Sequence, residues 1–351
     1  MNIAVIDVAA ESGGALSVLN DFANFIYEND TENNWYFYTS VVDIREKENI
    51  HNIKNPNIKK SWFHRLWWEY FSFPKLMKEN NIDLVISLQN NALPKGKWKQ
   101  IVYFHNVLLL QKAGTFSFKN KSERRYAIYS NILGPYIRHT WKNADLIIVQ
   151  GNHVRNAIKE WNIDIPIEVV TPELNIEIID NKNTIKGYIY PAFPNTYKNF
   201  ESIIEAVKIL NLREINVEII FTIDGTENEY SKSIFDMAKG VKNIKCVGKL
   251  TRDEVLSYYE NYGLIMTSKI ESFGMPIMEA KSHNTVIVGL NFPYVEELTS
   301  GYNRSYIVPE DDLQSAIVNG LNDNNIGNYT PNKKNGWEKI LKYIRRCSEE
   351  L

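Results

Sequence analysis

Short apolar runs alternate with amphipathic helical stretches along nearly the whole chain, and they do so in two successive series. The first series begins with "NIAVIDV" (2–8) and the helical "ALSVLNDFANFIYEN". It continues through "NWYFYTS", a basic aromatic helix, "DLVISL" (83–88), "KQIVYFHN" (99–106), a helical stretch around 120–142, "DLIIVQ" (145–150), "NHVRNAIKEWN" and "IEVVT". Strands that alternate with helices cannot be joined by tight hairpins, so they pair in parallel beneath covering helices. Periodicity lapses in the polar "PELNIEIIDNKNTIK", which reads as a linker over 174–186. A second series then runs from "GYIYPAF" and the helix "NFESIIEAVKIL" through "VEIIFTIDG", "IKCVGKL", "GLIMTS", "TVIVGL" and "SYIVPE". The expected fold is therefore α/β, with two doubly wound, Rossmann-like domains facing across a cleft. An N-terminal domain covers 1–173 and a C-terminal domain covers 187–334. A last amphipathic helix (335–351) is expected to pack back near the first domain. In such sheets ligands bind beyond the carboxyl ends of the strands, so the loops that follow strands are where chemistry is sought.

A chain of 351 residues with 44% hydrophobic and 23% charged residues is globular and long enough for two cores. Its net charge of −2 gives the whole molecule no attraction to nucleic acid. Cys246 and Cys347 stand on separate segments, outside any CxxC or Cys/His cluster, so a disulfide framework or zinc site is not expected and reduced, cytoplasmic thiols fit. The N-terminal "MNIAVIDVAAESGG" reads as a first strand rather than a signal peptide, and no apolar run is long enough to span a bilayer. Charge is unevenly spread. Lys54 to Lys142 hold 16 Lys/Arg against 4 Asp/Glu, and five of the eight tryptophans. The densest part, "KKSWFHRLWWEYFSFPKLMK" (59–78), suits the headgroup layer of an anionic membrane through Lys59, Lys60 and Arg65. A core helix with inward aromatics and a solvated basic face is the competing reading.

"IESFGMPIMEAK" (270–281) carries the most chemistry. It follows the strand "GLIMTS", so Lys269–Met275 forms the loop at that strand's carboxyl end. Gly274 accepts a positive φ and lets a ligand approach the backbone. Pro276 suits the first helical turn. Free N–H groups near Phe273–Ile277 then face the cleft at the positive end of a helix, where a phosphate or sugar hydroxyl is welcome. Glu271 is expected at the cleft wall, and Glu279 in the first helical turn, each an acceptor for paired hydroxyls. The plainer alternative makes Glu271 a solvated loop residue and Glu279 a partner of the helix dipole.

"TSKIESFGMPIMEA" resembles the E-x7-E signature of retaining glycosyltransferases of the GT-B fold, especially glycosyltransferase family 4. "YKNFESIIEAVKIL" (197–210) resembles that family's Lys-Asn helix, and "KCVGKLTRDEVLSYYENYGLIMTS" (245–268) its glycine loop, helix and strand. The likeness is strong over roughly 187–300. It implies that Glu279 binds the nucleotide ribose, that Glu271 contacts the transferred sugar and that Lys198 holds the diphosphate. It places His105, in "FHN", near the donor sugar and acceptor. It assigns the base to Gly248, Lys249 and Leu250, and the remaining donor contacts to Gly14, Ser272, Phe273, Gly274 and Met275. A core histidine at 105 and an exposed helix-start lysine at 198 remain the alternatives.

The same resemblance implies a nucleoside-diphosphate sugar donor, with UDP favoured, no metal, and a glycan or lipid-linked acceptor. The setting it suggests is cell-surface polysaccharide synthesis at the inner face of the plasma membrane. One departure stands out: "YPAFPNTYK" lacks the arginine that the family often carries before its lysine, leaving Lys249 or Lys269 as substitutes. Two other readings share this architecture, a sugar-nucleotide epimerase and a non-catalytic nucleotide-sugar-binding partner.

Overall fold

The computed structural model describes residues 1–11, 13–171, 178–179, 184–330 and 336–349. The chain forms two compact units. One comprises Met1–Thr115, Ala127–Glu173 and Lys334–Leu351, the other Phe116–Tyr126 and Leu174–Lys333. Most of the linker expected over 174–186 lies outside the described residues, as do the two ends of the expected helix 335–351.

The first unit holds a seven-stranded sheet built from β1 (Asn2–Asp7), β2 (Asn34–Thr39), β3 (Ile50–Lys54), β4 (Leu84–Ser87), β5 (Lys99–Phe104), β6 (Leu146–Val149) and β7 (Ile167–Val169). Its strand order is β3-β2-β1-β4-β5-β6-β7, with every pair parallel. β4 and β6 are buried along their whole length, which explains why "LIIV" and the first three residues of "LVIS" read as apolar runs; the buried Ser87 hydroxyl donates to Asn91 O at 2.6 Å. Alternate side chains of β1 serve opposite faces. Ile3 and Val5 meet Leu19, Phe22 and Ile26 of helix Gly13–Asn29, while Ala4 and Ile6 share a core with Trp68, Phe73 and Met77. The last helix, Gly336–Glu349, joins the first of these faces. Its Trp337 ring lies 4.9 Å from Phe22 and 5.3 Å from Tyr103.

The basic aromatic stretch is not one helix. It runs as a 3-10 turn Pro56–Lys60, an α-turn Trp62–Trp67, a π segment Trp68–Ser72 and a helix Phe73–Glu79. A second π segment, Tyr129–Leu133, interrupts the helical region expected over 120–142. Both precede a proline by two residues, Pro74 and Pro135. Proline has no N–H and its ring crowds the carbonyl four residues back; a wider turn relieves that crowding. Phe73 N–H accordingly reaches Trp68 O, and Gly134 N–H reaches Tyr129 O, each five residues back. The aromatics of 59–78 divide between the two expected roles. Trp68 and Phe73 are buried, whereas Trp62, Phe63, Trp67, Tyr70 and Phe71 are each more than half exposed.

The second unit repeats the pattern with β8 (Gly187–Tyr190), β9 (Glu218–Phe221), β10 (Ile244–Cys246), β11 (Tyr262–Met266), β12 (Ile287–Leu290) and β13 (Ser305–Val308). The order is β10-β9-β8-β11-β12-β13, again all parallel. Sequence direction reverses between β8 and β11, so their carboxyl ends mark the switch point where ligands bind in such sheets. Residues 116–126, inside the first series of the sequence, group with this unit.

Candidate functional site

The loops after β8 and β11 meet at that switch point. After β8 the chain makes a 3-10 turn, Thr196–Lys198, and enters helix Phe200–Leu212 through Asn199 at φ +56. Two hydroxyls fix this corner: Tyr190 Oη donates to Lys198 O at 2.6 Å, and Thr267 Oγ1 donates to the same carbonyl at 3.1 Å. Lys269 N–H donates to Tyr197 O at 2.8 Å and ties the second loop to the first. Within this frame the Lys198 ammonium pairs with the Glu271 carboxylate, with side chains only 15% and 18% exposed. A cation held low at the floor of two loops can receive a diphosphate, and the carboxylate beside it can accept a sugar hydroxyl. Tyr197 lies beneath the pair, its hydroxyl pushed up to about 12 by burial and then by Glu271.

Gly274 takes φ +79 and starts helix Met275–Ser282, with Pro276 in the first turn. The expected row of open N–H groups is shorter than the sequence suggested, because Ile277 N–H is taken by Gly274 O at 3.0 Å. Phe273 is buried, Met275 is exposed and Ser272 is intermediate. Glu279 is not in the first turn. It is the fifth helical residue and is buried. Burial raises its pKa, and Arg252 draws it back through an Nε–Oε1 contact of 2.8 Å. Arg252 opens helix Arg252–Tyr258, just after the loop of Gly248, Lys249 and Leu250. Gly248 is held at φ +79 by its N–H on Ile223 O at 3.1 Å; Lys249 is exposed and Leu250 packs on the core.

The sequence does not mark Arg252, nor Tyr126, whose hydroxyl donates to Asn195 Oδ1 and whose ring lies 5.3 Å from Tyr197. Tyr126 belongs to the excursion 116–126. Both partners are far away in sequence, and no local pattern announces either contact.

His105 and Gly14 belong to the first unit. His105 follows β5, and its backbone N–H and that of Asn106 both donate to Asn90 Oδ1, at 2.8 and 3.0 Å. Its Nε2 stands 3.0 Å from Leu88 O and 3.3 Å from Asn90 Nδ2. Burial holds its pKa below the usual histidine value. Gly14 is not in a loop; it is the second residue of helix Gly13–Asn29, with open space where a side chain would be. Nearby in sequence to β4, the buried Glu69 accepts from Arg65 Nε at 3.0 Å and from Gln89 Nε2 at 3.2 Å. Among the described residues, no group of three or more His, Cys, Asp or Glu could hold a metal ion, and no helix is long and apolar enough to cross a membrane.

Residues 177–329 match the family model described as glycosyl transferases group 1. The match covers the second βα series and less than half of the chain, so over that stretch the chain is similar to this family. No curated protein sequence matches the chain. Solved structures share its fold. A glycosyltransferase from Rickettsia africae ESF-5 is 14% identical with TM-score 0.64, over 100% of this chain and 99% of that one. Anabaena Alr3699/HepE, solved with UDP and glucose, is 14% identical with TM-score 0.60 over the full length of both. The UDP-GlcNAc 2-epimerase of Methanocaldococcus jannaschii, also 14% identical, gives a lower TM-score of 0.53 over 99% of this chain and 100% of that one. The expected two-domain Rossmann-like fold of GT-B glycosyltransferases is borne out, and the matched domain indicates a role in glycosyl transfer.

Proposed function

We propose that the chain transfers a hexosyl group from a nucleoside-diphosphate sugar, UDP-sugar by preference, to a glycan or lipid-linked acceptor in cell-surface polysaccharide synthesis. The observation that carries this reading is the Lys198–Glu271 pair at the switch point of the stretch similar to group 1 glycosyltransferases. The structural neighbour solved with UDP and glucose supports the choice of donor. In this reading Lys198 and the helix start after Gly274 stabilise the leaving diphosphate, Glu271 holds the sugar and Glu279 the ribose. The bond from the anomeric carbon to phosphate oxygen breaks as the bond to the acceptor oxygen forms on the same face, with retention. The acceptor's hydroxyl proton passes to the departing phosphate oxygen, so no side chain acts as nucleophile and no metal is required.

The exposed aromatics Trp62, Phe63, Trp67 and Phe71, in a strongly basic stretch, support a peripheral site on the cytoplasmic face of an anionic membrane. Serine at Phe63 and Trp67 should release the protein from anionic vesicles; unchanged vesicle binding would sink this part. The activity itself is tested by product analysis with donor alone and with donor plus acceptor lipids. Transfer that needs acceptor supports the proposal. An epimerised nucleotide sugar formed from donor alone would replace it with the isomerase reading.

A further inference from the structure

Glu279 and Arg252 are 27 residues apart, yet their side chains meet at 2.8 Å. The carboxylate is 9% exposed and the guanidinium side chain 51% exposed. Arg252 therefore stands at the solvent side of Glu279. Its backbone is fixed, because Thr251 and Glu254 close a capping box around the first turn of its helix. Glu279 is fixed as well: it sits mid-helix, and its own carbonyl accepts from His283 N–H at 3.3 Å and faces His283 Nδ1 at 2.9 Å.

We propose that Arg252 is a positioning residue for the donor nucleotide: it holds one oxygen of the Glu279 carboxylate and leaves the other to accept the ribose hydroxyls of a nucleoside diphosphate. This rests on the reading of Glu279 as the ribose residue. The chemistry is that of an acceptor pair. Two hydroxyls need an ionised carboxylate, which is acceptor-only; a protonated one spends an oxygen as donor. Burial works against ionisation at this position, and Arg252 is the largest opposing influence. The other titratable groups facing Glu279 are His283, whose favourable field on it is smaller, and Tyr259, kept neutral by its own burial. The guanidinium also fixes which way the carboxylate points, since an N–H donor aligned on Oε1 restrains the terminal torsion.

The test is calorimetric titration of UDP, GDP and ADP into the full chain as wild type, Glu279→Gln, Arg252→Met and Arg252→Lys, between about pH 5.5 and 8.5. With the nucleotide that binds wild type, Glu279→Gln should weaken binding wherever the wild-type carboxylate is ionised. Arg252→Met should weaken it by about tenfold near neutrality, the equivalent of about one pKa unit, through a carboxylate that is less ionised and less fixed in direction. Its affinity should also begin to fall, as pH drops, at a higher pH than in wild type, because Glu279 without Arg252 takes up its proton earlier. Arg252→Lys should restore the wild-type pH profile. A merely structural role for Arg252 would lower affinity without moving that profile. If Glu279→Gln weakens binding while Arg252→Met keeps the wild-type profile, the inference on Arg252 is overturned and the donor site stands. If none of the three nucleotides binds wild type, or Glu279→Gln binds as well as wild type, the donor reading itself falls and the inference with it.

Discussion

Gly274→Ala tests the corner on which the proposed donor site is built. Gly274 sits at φ +79, ψ +47, the left-handed region. An L-residue there costs about 1–2 kcal/mol, because Cβ crowds the carbonyl. The new methyl would also come within 2.8 Å of Leu298 Cδ1 and 3.4 Å of Tyr294 Cδ2. Leu298 Cδ1 is a side-chain terminus and can turn aside, so the backbone term dominates. For a unit of this size about 1 kcal/mol moves Tm by about 2–4 °C, so Gly274→Ala should lower the second unit's Tm by about 2–8 °C. Donor affinity should fall with it, since the helix start must shift to relieve the strain. Gly240→Ala is the control. Gly240 has φ −86, caps helix Glu229–Lys239 and has open space around its would-be Cβ. Alanine there should be neutral or stabilise by up to about 1 kcal/mol through the unfolded chain. Differential scanning calorimetry reads both variants. Equal melting of Gly274→Ala and Gly240→Ala would refute the reasoning.

Three further outcomes are expected. Lys198→Met and Glu271→Gln should each lower transfer rate by about a hundredfold or more, and the double variant by much less than the product, because the two side chains act as one pair; multiplicative losses would contradict the pairing. Asp323→Ala should cost about 3–5 kcal/mol in urea unfolding, because it strands the buried Arg304 guanidinium that it contacts at 3.2 Å; a loss below about 1 kcal/mol would be inconsistent with that burial. His105 should titrate below about 6.5, the unperturbed value, when followed by NMR, so it stays neutral across the physiological range and protonates only as pH falls further. A midpoint at or above that value would mean its ring is solvated.

The parallel sheets were legible because interior strands such as "LVIS" and "LIIV" are buried along their whole length and almost wholly apolar, which admits little else between helices. β3, "IHNIK", was not, since an edge strand with half-buried polar residues carries no clear alternation. The π segments were missed because the sequence shows Pro74 and Pro135 but not which way the chain relieves the clash. At the site, Lys198, Glu271 and Gly274 were legible as positions in the loops after β8 and β11, but the pairing of Lys198 with Glu271, 73 residues away, was not. Glu279 falls just beyond the first helical turn expected for it, because the helix begins at Met275, one residue before Pro276, with Gly274 as its cap. Arg252 and Tyr126 were invisible, because they reach the site only through contacts 27 and 69 residues away in sequence.

The most direct measurement is thermal shift of the full chain against a panel of nucleoside-diphosphate sugars, run beside Glu279→Gln, with each protein compared with its own ligand-free melt. The account predicts that one donor raises the wild-type Tm and leaves Glu279→Gln nearly unmoved. A donor that stabilises both equally, or a panel that stabilises neither, would contradict a nucleotide-sugar site built on Lys198, Glu271 and Glu279.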